Sequence, residues 1–408
     1  MNIVCFGNEW GSWVRRSNRI LLGLHENKVV ERVIFFERPL TFRNIFEYLT
    51  GKANFTVNER CRRLFKHGFL LEVSEGVTVV NTVIPAFFFG SGFLQSINEW
   101  IRSALQLFLL KRLKKSGVLN EEKLLLWFQR PEFNSRYIAR IPHWKVLYDC
   151  TEDYLEQLKN ETDVLFNKYK HDDAEITACA DLITTVSKDF AALKVKSNPN
   201  THWISNGVDY KEFVDLANDG EGRRGVPVFA LIGILNHRCD LDLITQLAAT
   251  YPDAVIELVG SVNDYIVSKV RESGLTNVRF IPSVAASEIP AYLSRVDVCL
   301  SLYKDDYLNR SGSSMKIYQY LASGKPIVSY AVADAEYFSD AVYLAGDRKE
   351  YIKLVRVALD EPPDDPKVAF RREHARNNDW LLKTDEFCAL IRGLAASDQP
   401  TPAAGKGL

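Results

Sequence analysis

The feature that most restricts how this chain can fold is a rhythm of short apolar runs alternating with amphipathic stretches. Ile3–Phe6, Val33–Phe36, Val77–Val83, Leu124–Phe128, Val146–Tyr148 and Leu182–Val186 read as strands in the first half. After a break the pattern restarts with Val228–Ile232, Val255–Val259, Val278–Ile281, Val298–Leu302 and Ile327–Ser329. Strands apolar on both faces and separated by helical patterns belong to parallel sheets covered by helices on both sides, so the expected class is α/β. The break, Asp219-Gly-Glu-Gly-Arg-Arg-Gly225, is charged and glycine-rich and cannot pack into a core. It divides the chain into an expected Rossmann-like domain over residues 1–219 and a second over 220–366. A helical pattern over 367–394 is long enough to cross back onto the first domain, and 395–408 reads as a disordered tail.

A chain of 408 residues exceeds one ordinary core, which agrees with two domains. A formal net charge of -1 gives no global attraction to nucleic acid, so that partner class is set aside. Seven cysteines stand scattered, without close pairs and odd in number, which favours reduced thiols over a disulfide framework. The first residues run directly into a strand without the basic and apolar segments of a secretory signal. The longest nearly apolar stretch, Thr82 to Leu94, contains Pro85 and is shorter than the roughly 20 residues a spanning helix needs. The expected location is cytoplasmic.

Glycines mark two strand ends, in Leu231-Ile-Gly233-Ile-Leu235 and Leu258-Val-Gly260-Ser-Val. A missing side chain there lets a ligand approach the backbone closely, although a tight turn explains each glycine equally well. A stronger signal is Ser311-Gly-Ser-Ser-Met-Lys-Ile-Tyr-Gln-Tyr-Leu-Ala-Ser-Gly324, which reads as loop, helix and glycine cap. Ser313 and Ser314 can cap that helix, and its exposed amides suit a diphosphate. Lys316 adds a full charge in the first turn, and Met315 and Gln319 share its side of the helix. Read plainly, the same residues make an ordinary capped helix with a solvated lysine.

This segment resembles the donor-binding helix of glycosyltransferases with the two-Rossmann GT-B architecture. Its Ser-Ser-Met-Lys-x-x-Gln-Tyr string is similar to that of the xanthan β-glucuronosyltransferase and of group 1 polysaccharide-biosynthesis enzymes. Asn206-Gly-Val-Asp209, followed by Phe213, resembles the stretch that leads into the donor domain of such enzymes. The resemblance implies two domains facing a cleft, an acceptor site in the first and a sugar nucleotide held by the second. By position, Met315 would pack on the nucleotide, Lys316 would meet the diphosphate and Gln319 the nucleoside, with Gly233, Leu235 and Tyr303 as further contacts. Many retaining members carry two glutamates eight positions apart here, where this chain has Ser311 and Gln319. That departure favours the inverting, glucuronosyltransferase-like branch.

Inversion needs a carboxylate to take the acceptor proton. Tyr148-Asp-Cys-Thr-Glu-Asp-Tyr154 follows a strand, and the resemblance points to Asp153, or with a different gap Asp149, as that base; acids before a helix also serve as caps. The loop Asn8–Asn18 carries Arg15, Arg16 and Asn18, matching an Arg-Arg-x-Asn stretch in the same family and offering cations to an anionic donor or a lipid-diphosphate acceptor; a solvated pair is the plainer reading. Residues 84–115 combine phenylalanines with a basic end, fitting either a helix lying on the inner membrane face or a buried helix. Asp240-Leu-Asp242 begins a helix and is better explained by capping than by a metal. With Lys316 and helix amides on the leaving group, no metal or other cofactor is expected.

The sequence thus leads to transfer of a hexose or uronic acid from a UDP-sugar to a lipid-linked or polysaccharide acceptor in bacterial exopolysaccharide or cell-surface glycan synthesis. The alternatives are a retaining GDP- or UDP-hexose transferase of the same fold, a sugar-nucleotide epimerase and a non-catalytic sugar-nucleotide binder. No Gly-x-Gly-x-x-Gly follows the first strand, which disfavours an NAD enzyme.

Overall fold

In the computed structural model the described residues are 1–11, 16–85, 92–119, 123–132, 134–159, 162–214, 225–304, 306, 309, 311–331 and 333–396. The chain divides into two compact units, Met1–Ile204 with Thr384–Leu408, and Ser205–Lys383. Mixed α/β structure with largely parallel sheets holds throughout both.

The first unit is built on a sheet of eight strands: β1 (Asn2–Phe6), β2 (Arg32–Phe36), β4 (Leu70–Ser74), β5 (Val77–Val80), β7 (Leu124–Phe128), β8 (Lys145–Cys150), β9 (Leu182–Thr185) and β10 (Thr201–Trp203). Two further short strands, β3 (Leu40–Thr41) and β6 (Val83–Ile84), pair with each other. The spatial order β10-β9-β8-β7-β1-β2-β5-β4 is parallel except for the antiparallel β4–β5 edge. Every residue of β1 and β7 is buried, because helices cover both faces. On one face Phe6 stacks on Phe36, Phe128 and Tyr137. On the other, Trp127 stacks on Phe387 of the returning C-terminal helix.

The second unit has six parallel strands: β11 (Val228–Leu235), β12 (Val255–Val262), β13 (Val278–Ile281), β14 (Val298–Ser301), β15 (Ile327–Tyr330) and β16 (Tyr343–Ala345). Their order β13-β12-β11-β14-β15-β16 places the first strand at the centre and reverses direction beside it. In such a sheet the helices diverge between the first and fourth strands, leaving a crevice at the carboxyl ends where ligands collect. The first unit has the corresponding switch between β1 and β7.

Several expectations require correction. The first unit ends at Ile204, well before the glycine-rich segment; residues 215–224, which include most of that segment, lie outside the described part. Ser205–Asp209 belongs to the second unit because Val208 forms a parallel bridge with Asp379. Gly207 makes this possible: a Cβ on it would lie 2.6 Å from the Asn378 carbonyl oxygen. That same pairing breaks the expected helix over 367–394 into Pro366–Asn377 and Trp380–Ala396, with Asp379 accepting the amides of Tyr210 at 2.9 Å and Leu381 at 2.8 Å. Only the second helix returns to the first unit, and residues 397–408 lie outside the described part. The run Val77–Val83 is interrupted at Asn81, and β4, β10 and β16 were not anticipated.

All seven cysteines are free thiols, and burial pushes Cys150 and Cys299 up to about 12. No helix among the described residues is long and apolar enough to cross a membrane.

Candidate active site

The second unit's switch point lies between β11 and β14, and the residues singled out from the sequence gather there. Gly233 adopts φ 132° and its register partner on β12, Gly260, adopts φ 125°. Both strands run two residues beyond these glycines, to Leu235 and Val262, instead of ending at them. Gly260 is enforced by backbone crowding, since a Cβ would come within 2.1 Å of the Gly233 carbonyl oxygen. A Cβ on Gly233 would instead meet the Lys316 ammonium at 3.4 Å. Gly233 therefore leaves room for that cation above the strand.

Lys316 sits in the first turn of helix Met315–Ser323, which is held to β11 by the amide of Ile232 donating to the Tyr320 hydroxyl at 2.9 Å. The lysine is buried, and its Nζ has no hydrogen-bond partner among the described residues. Nζ lies over the Tyr303 ring, with the centroid at 4.0 Å. Tyr303 follows β14 and bridges to Cys239 in the loop after β11. That loop brings in Arg238, whose guanidinium lies 5.7 Å from the Tyr303 centroid and whose Nε donates to Asn309 Oδ1 at 2.8 Å. Lys304 Nζ donates to the His237 carbonyl at 2.9 Å. Two cations, Lys316 and Arg238, thus flank one tyrosine at the carboxyl end of the sheet. Arg238 and Lys304 escaped sequence reading, although a His-Arg pair directly after a strand was a usable signal.

The serines do not act as expected. Ser314 occupies the N-cap position of the helix, but its side chain makes no cap hydrogen bond. Ser313 donates its hydroxyl to Asp334, and its Oγ and carbonyl accept from Asn206 Nδ2 at 3.0 and 3.1 Å. The hydroxyl was drawn away by a partner distant in sequence. Burial pushes the Asp334 carboxyl up to about 7, against the lowering pull of Ser313, Tyr318 and the charge on Lys383. Met315 and Gln319 are partly exposed on the same helix, and Gly324 terminates it with φ 72°. Leu235 departs from its expected role: its side chain is part of the hydrophobic core. Asp240 caps helix Leu241–Thr250 and takes a bidentate contact from Arg348 at 2.8 Å, as the capping reading anticipates.

In the first unit the expected residues are largely occupied. Asp149, on β8, is fully buried and accepts from Thr184 Oγ1 at 2.7 Å and Arg16 Nε at 3.2 Å. Arg16 also donates to the Ile204 carbonyl at 2.7 Å and lies over the Phe387 ring. It is therefore not solvated, and it links Asp149 on β8, the residue after β10 and the C-terminal helix. Asn18 is buried two residues further along helix Arg16–Glu26, and Arg15 lies outside the described residues. Asp153 caps helix Tyr154–Gln157, its Oδ1 accepting from the amides of Leu155 at 3.1 Å and Glu156 at 3.0 Å. Helix Gly92–Lys115 contributes Leu110 and Leu113 to the core, while Trp100 and Phe108 are exposed.

Comparison with known proteins agrees with this arrangement. The model of the family "Glycosyl transferases group 1" matches residues 235–360, the stretch that holds Arg238, Tyr303 and Lys316. Residues 235–360 thus carry the sequence pattern of a group 1 glycosyltransferase domain. A curated relative of the transferase is TuaH of Bacillus subtilis (strain 168), described by its name as a teichuronic acid biosynthesis glycosyltransferase; the two are 26% identical over 280 residues, 64% of this chain and 70% of TuaH. Among solved structures, the sucrose-phosphate synthase of Thermosynechococcus elongatus superposes with a TM-score of 0.71 at 15% identity, covering 97% of this chain and all of the other. Anabaena Alr3699/HepE, solved with UDP and glucose, superposes with a TM-score of 0.64 at 13% identity over 97% of the transferase and all of HepE. At these identities the likeness establishes the GT-B fold.

Proposed function

We propose that this glycosyltransferase takes a hexose or uronic acid from a UDP-sugar and passes it, with inversion, to a lipid-linked or polysaccharide acceptor in cell-surface glycan synthesis. The observation that carries the donor half is Lys316: a buried ammonium without a hydrogen-bond partner among the described residues, at the topological switch point, beside a helix N-terminus. Burying a charge without a hydrogen-bond partner is costly, and a diphosphate is the ligand whose charge and size match this cation at a helix N-terminus. Tyr303 and Arg238 flank the same place and supply a stacking face and a second cation. HepE's complex with UDP and glucose supports a uridine donor, and TuaH's name supports a cell-surface polymer.

In this reading Lys316 and the helix amides stabilise the charge developing on the leaving diphosphate, so the step needs no metal. Asp153 takes the proton of the acceptor hydroxyl as that oxygen bonds to the anomeric carbon. Its Oδ1 also caps helix Tyr154–Gln157. Asp149 is fully enclosed and serves as a positioning residue through Arg16 and Thr184.

Calorimetric titration with uridine, guanosine and thymidine sugar nucleotides tests the donor; preference for a guanosine sugar would overturn it. Asp153→Asn tests the base, because asparagine keeps an oxygen for the cap but cannot accept the proton. Turnover should fall by roughly 10²–10⁴-fold with donor affinity and melting temperature unchanged. Unchanged turnover removes Asp153 from the mechanism. An absence of any turnover in the wild type with donor binding intact would favour a sugar-nucleotide binder, for which the capping role of Asp153 is then the whole explanation.

A further inference from the structure

Asp334 lies in the turn Ala333–Phe338, shortly after β15, and is 1% exposed. Its carboxyl accepts the hydroxyl of Ser313, and Ser313 accepts from Asn206 Nδ2 through Oγ at 3.0 Å and through its carbonyl at 3.1 Å. The neighbouring Ser205 donates its hydroxyl to Asn378 Oδ1 at 3.1 Å, beside the Val208–Asp379 bridge. One line of hydrogen bonds thus runs from the turn after β15, through the loop that opens helix Met315–Ser323, to the paired segments at Val208 and Asp379. The Ser314 side chain makes no cap hydrogen bond for that helix. Asp334 and Asn206, both outside the helix, hold Ser313 instead.

An acid in this place meets two opposed forces. A carboxylate near a helix N-terminus is favoured by the dipole, but a diphosphate bound at the same end repels it. Burial pushes the Asp334 carboxyl up to about 7, outweighing the hydroxyls of Ser313 and Tyr318, the charge on Lys383 from helix Trp380–Ala396 and the Ser314 amide, which all favour the ionised form. Glu336, on the same turn, is exposed, and Asp340 is paired with His374 at 2.8 Å. Lys316 Nζ lies over the Tyr303 ring and makes no hydrogen bond to Asp334. No full cation is hydrogen bonded to this carboxyl among the described residues, in contrast to Asp149 with Arg16.

We propose that Asp334 is a positioning residue of the donor site whose protonation is coupled to sugar-nucleotide binding: as the diphosphate arrives, the carboxylate takes up one proton from solvent, which removes the like charge while Ser313 and Asn206 keep the loop in place. This deepens, and rests on, the reading of Lys316 and its helix N-terminus as the diphosphate site. The sign follows directly. Below about pH 6 the carboxyl already holds its proton and donor affinity is level; at higher pH binding must draw that proton from solvent, and affinity falls.

Calorimetric titration with UDP-glucose, whose diphosphate does not change charge near neutral pH, tests the proposal. Repeated in buffers of different ionisation heat, it should show uptake of about half a proton per molecule bound at pH 7.5. Affinity should fall about fivefold or more from pH 6 to 8.5, as expected if the bound charge raises the proton affinity of the carboxyl about tenfold. Asp334→Asn keeps an oxygen for Ser313 and is always neutral, so uptake and slope should both vanish while affinity at pH 6 stays within about twofold of wild type. Ser313→Ala removes a bond that favours the ionised form, so the fall should move to higher pH. His237, exposed beside Arg238, is the competing source of such a slope, since imidazoles titrate in this range; His237→Gln should leave it unchanged. Wild-type binding without proton uptake, or uptake that persists in Asp334→Asn, overturns the proposal. Absence of any sugar-nucleotide binding in the wild type sinks the donor reading and this inference with it, so the two failures are distinguishable.

Discussion

The two units solve the same topological problem with opposite electrostatics. Each holds a buried cation in the first turn of a helix near its switch point, Arg16 in the first and Lys316 in the second. Arg16 meets Asp149, the Ile204 carbonyl and the Phe387 ring, so its charge is spent on holding the fold. Among the described residues Lys316 Nζ has no hydrogen-bond partner and lies over the face of Tyr303, although the second unit also contains a buried carboxyl group, Asp334, which hydrogen bonds to Ser313 instead. A cation matched within the protein is structural, whereas one without a hydrogen-bond partner at a helix N-terminus is what the proposed diphosphate contact requires. The sequence motif alone treats both as anion contacts; what their neighbours do with the charge separates them.

The largest effect should come from breaking the settled pair. Arg16→Met leaves Asp149 buried without its cation, and removing one partner of a buried pair costs about 3–5 kcal/mol. Chemical denaturation of the variant should show that loss in the first unit, while sugar-nucleotide affinity in the second stays the same. A loss of donor affinity with unchanged stability would mean that Arg16 belongs to a ligand and that the contrast is false.

A somewhat smaller effect is expected at Asp334. Its folded pKa of about 7 lies above the ordinary carboxyl value of 3.8, so the folded state holds its proton where the unfolded chain has released it. Stability from this group is therefore complete below pH 4 and lost as pH rises towards and through 7. The loss reaches on the order of 4 kcal/mol if the whole window is crossed. Asp334→Asn should remove that slope, measured as the difference in unfolding free energy between wild type and variant from pH 4 to 8. Parallel curves would show that Asp334 is not held protonated by burial.

Much of this architecture was legible because strands buried on both faces write continuous apolar runs, as in Ile3–Phe6 and Leu124–Phe128. The edge strand Leu70–Ser74 escaped because it is mostly exposed and carries no such run. The break at Asn378–Asp379 was invisible because its cause, Val208, lies far away in sequence. Within the site, Lys316 and Tyr303 were found from a motif and a strand end. Leu235 was misread because a leucine at a strand end looks the same whether it meets a ligand or a core. Ser313 failed as a cap for the same kind of reason, since Asp334 competes for its hydroxyl from another loop.

The smallest change sharpens the comparison most. Lys316→Met keeps the length and packing of the side chain and removes only the charge. If the ammonium is kept for a diphosphate, sugar-nucleotide affinity should drop by about 10–100-fold, the weight of one or two charge-assisted hydrogen bonds. The same variant, without ligand, should melt at the wild-type temperature or above it, because a buried unpaired charge has been replaced by an apolar chain. Arg16→Met should instead bind the sugar nucleotide as the wild type does and melt at a lower temperature. Calorimetry and thermal unfolding of the two variants side by side decide the matter, and a destabilised Lys316→Met with normal donor affinity would make this lysine as structural as the arginine.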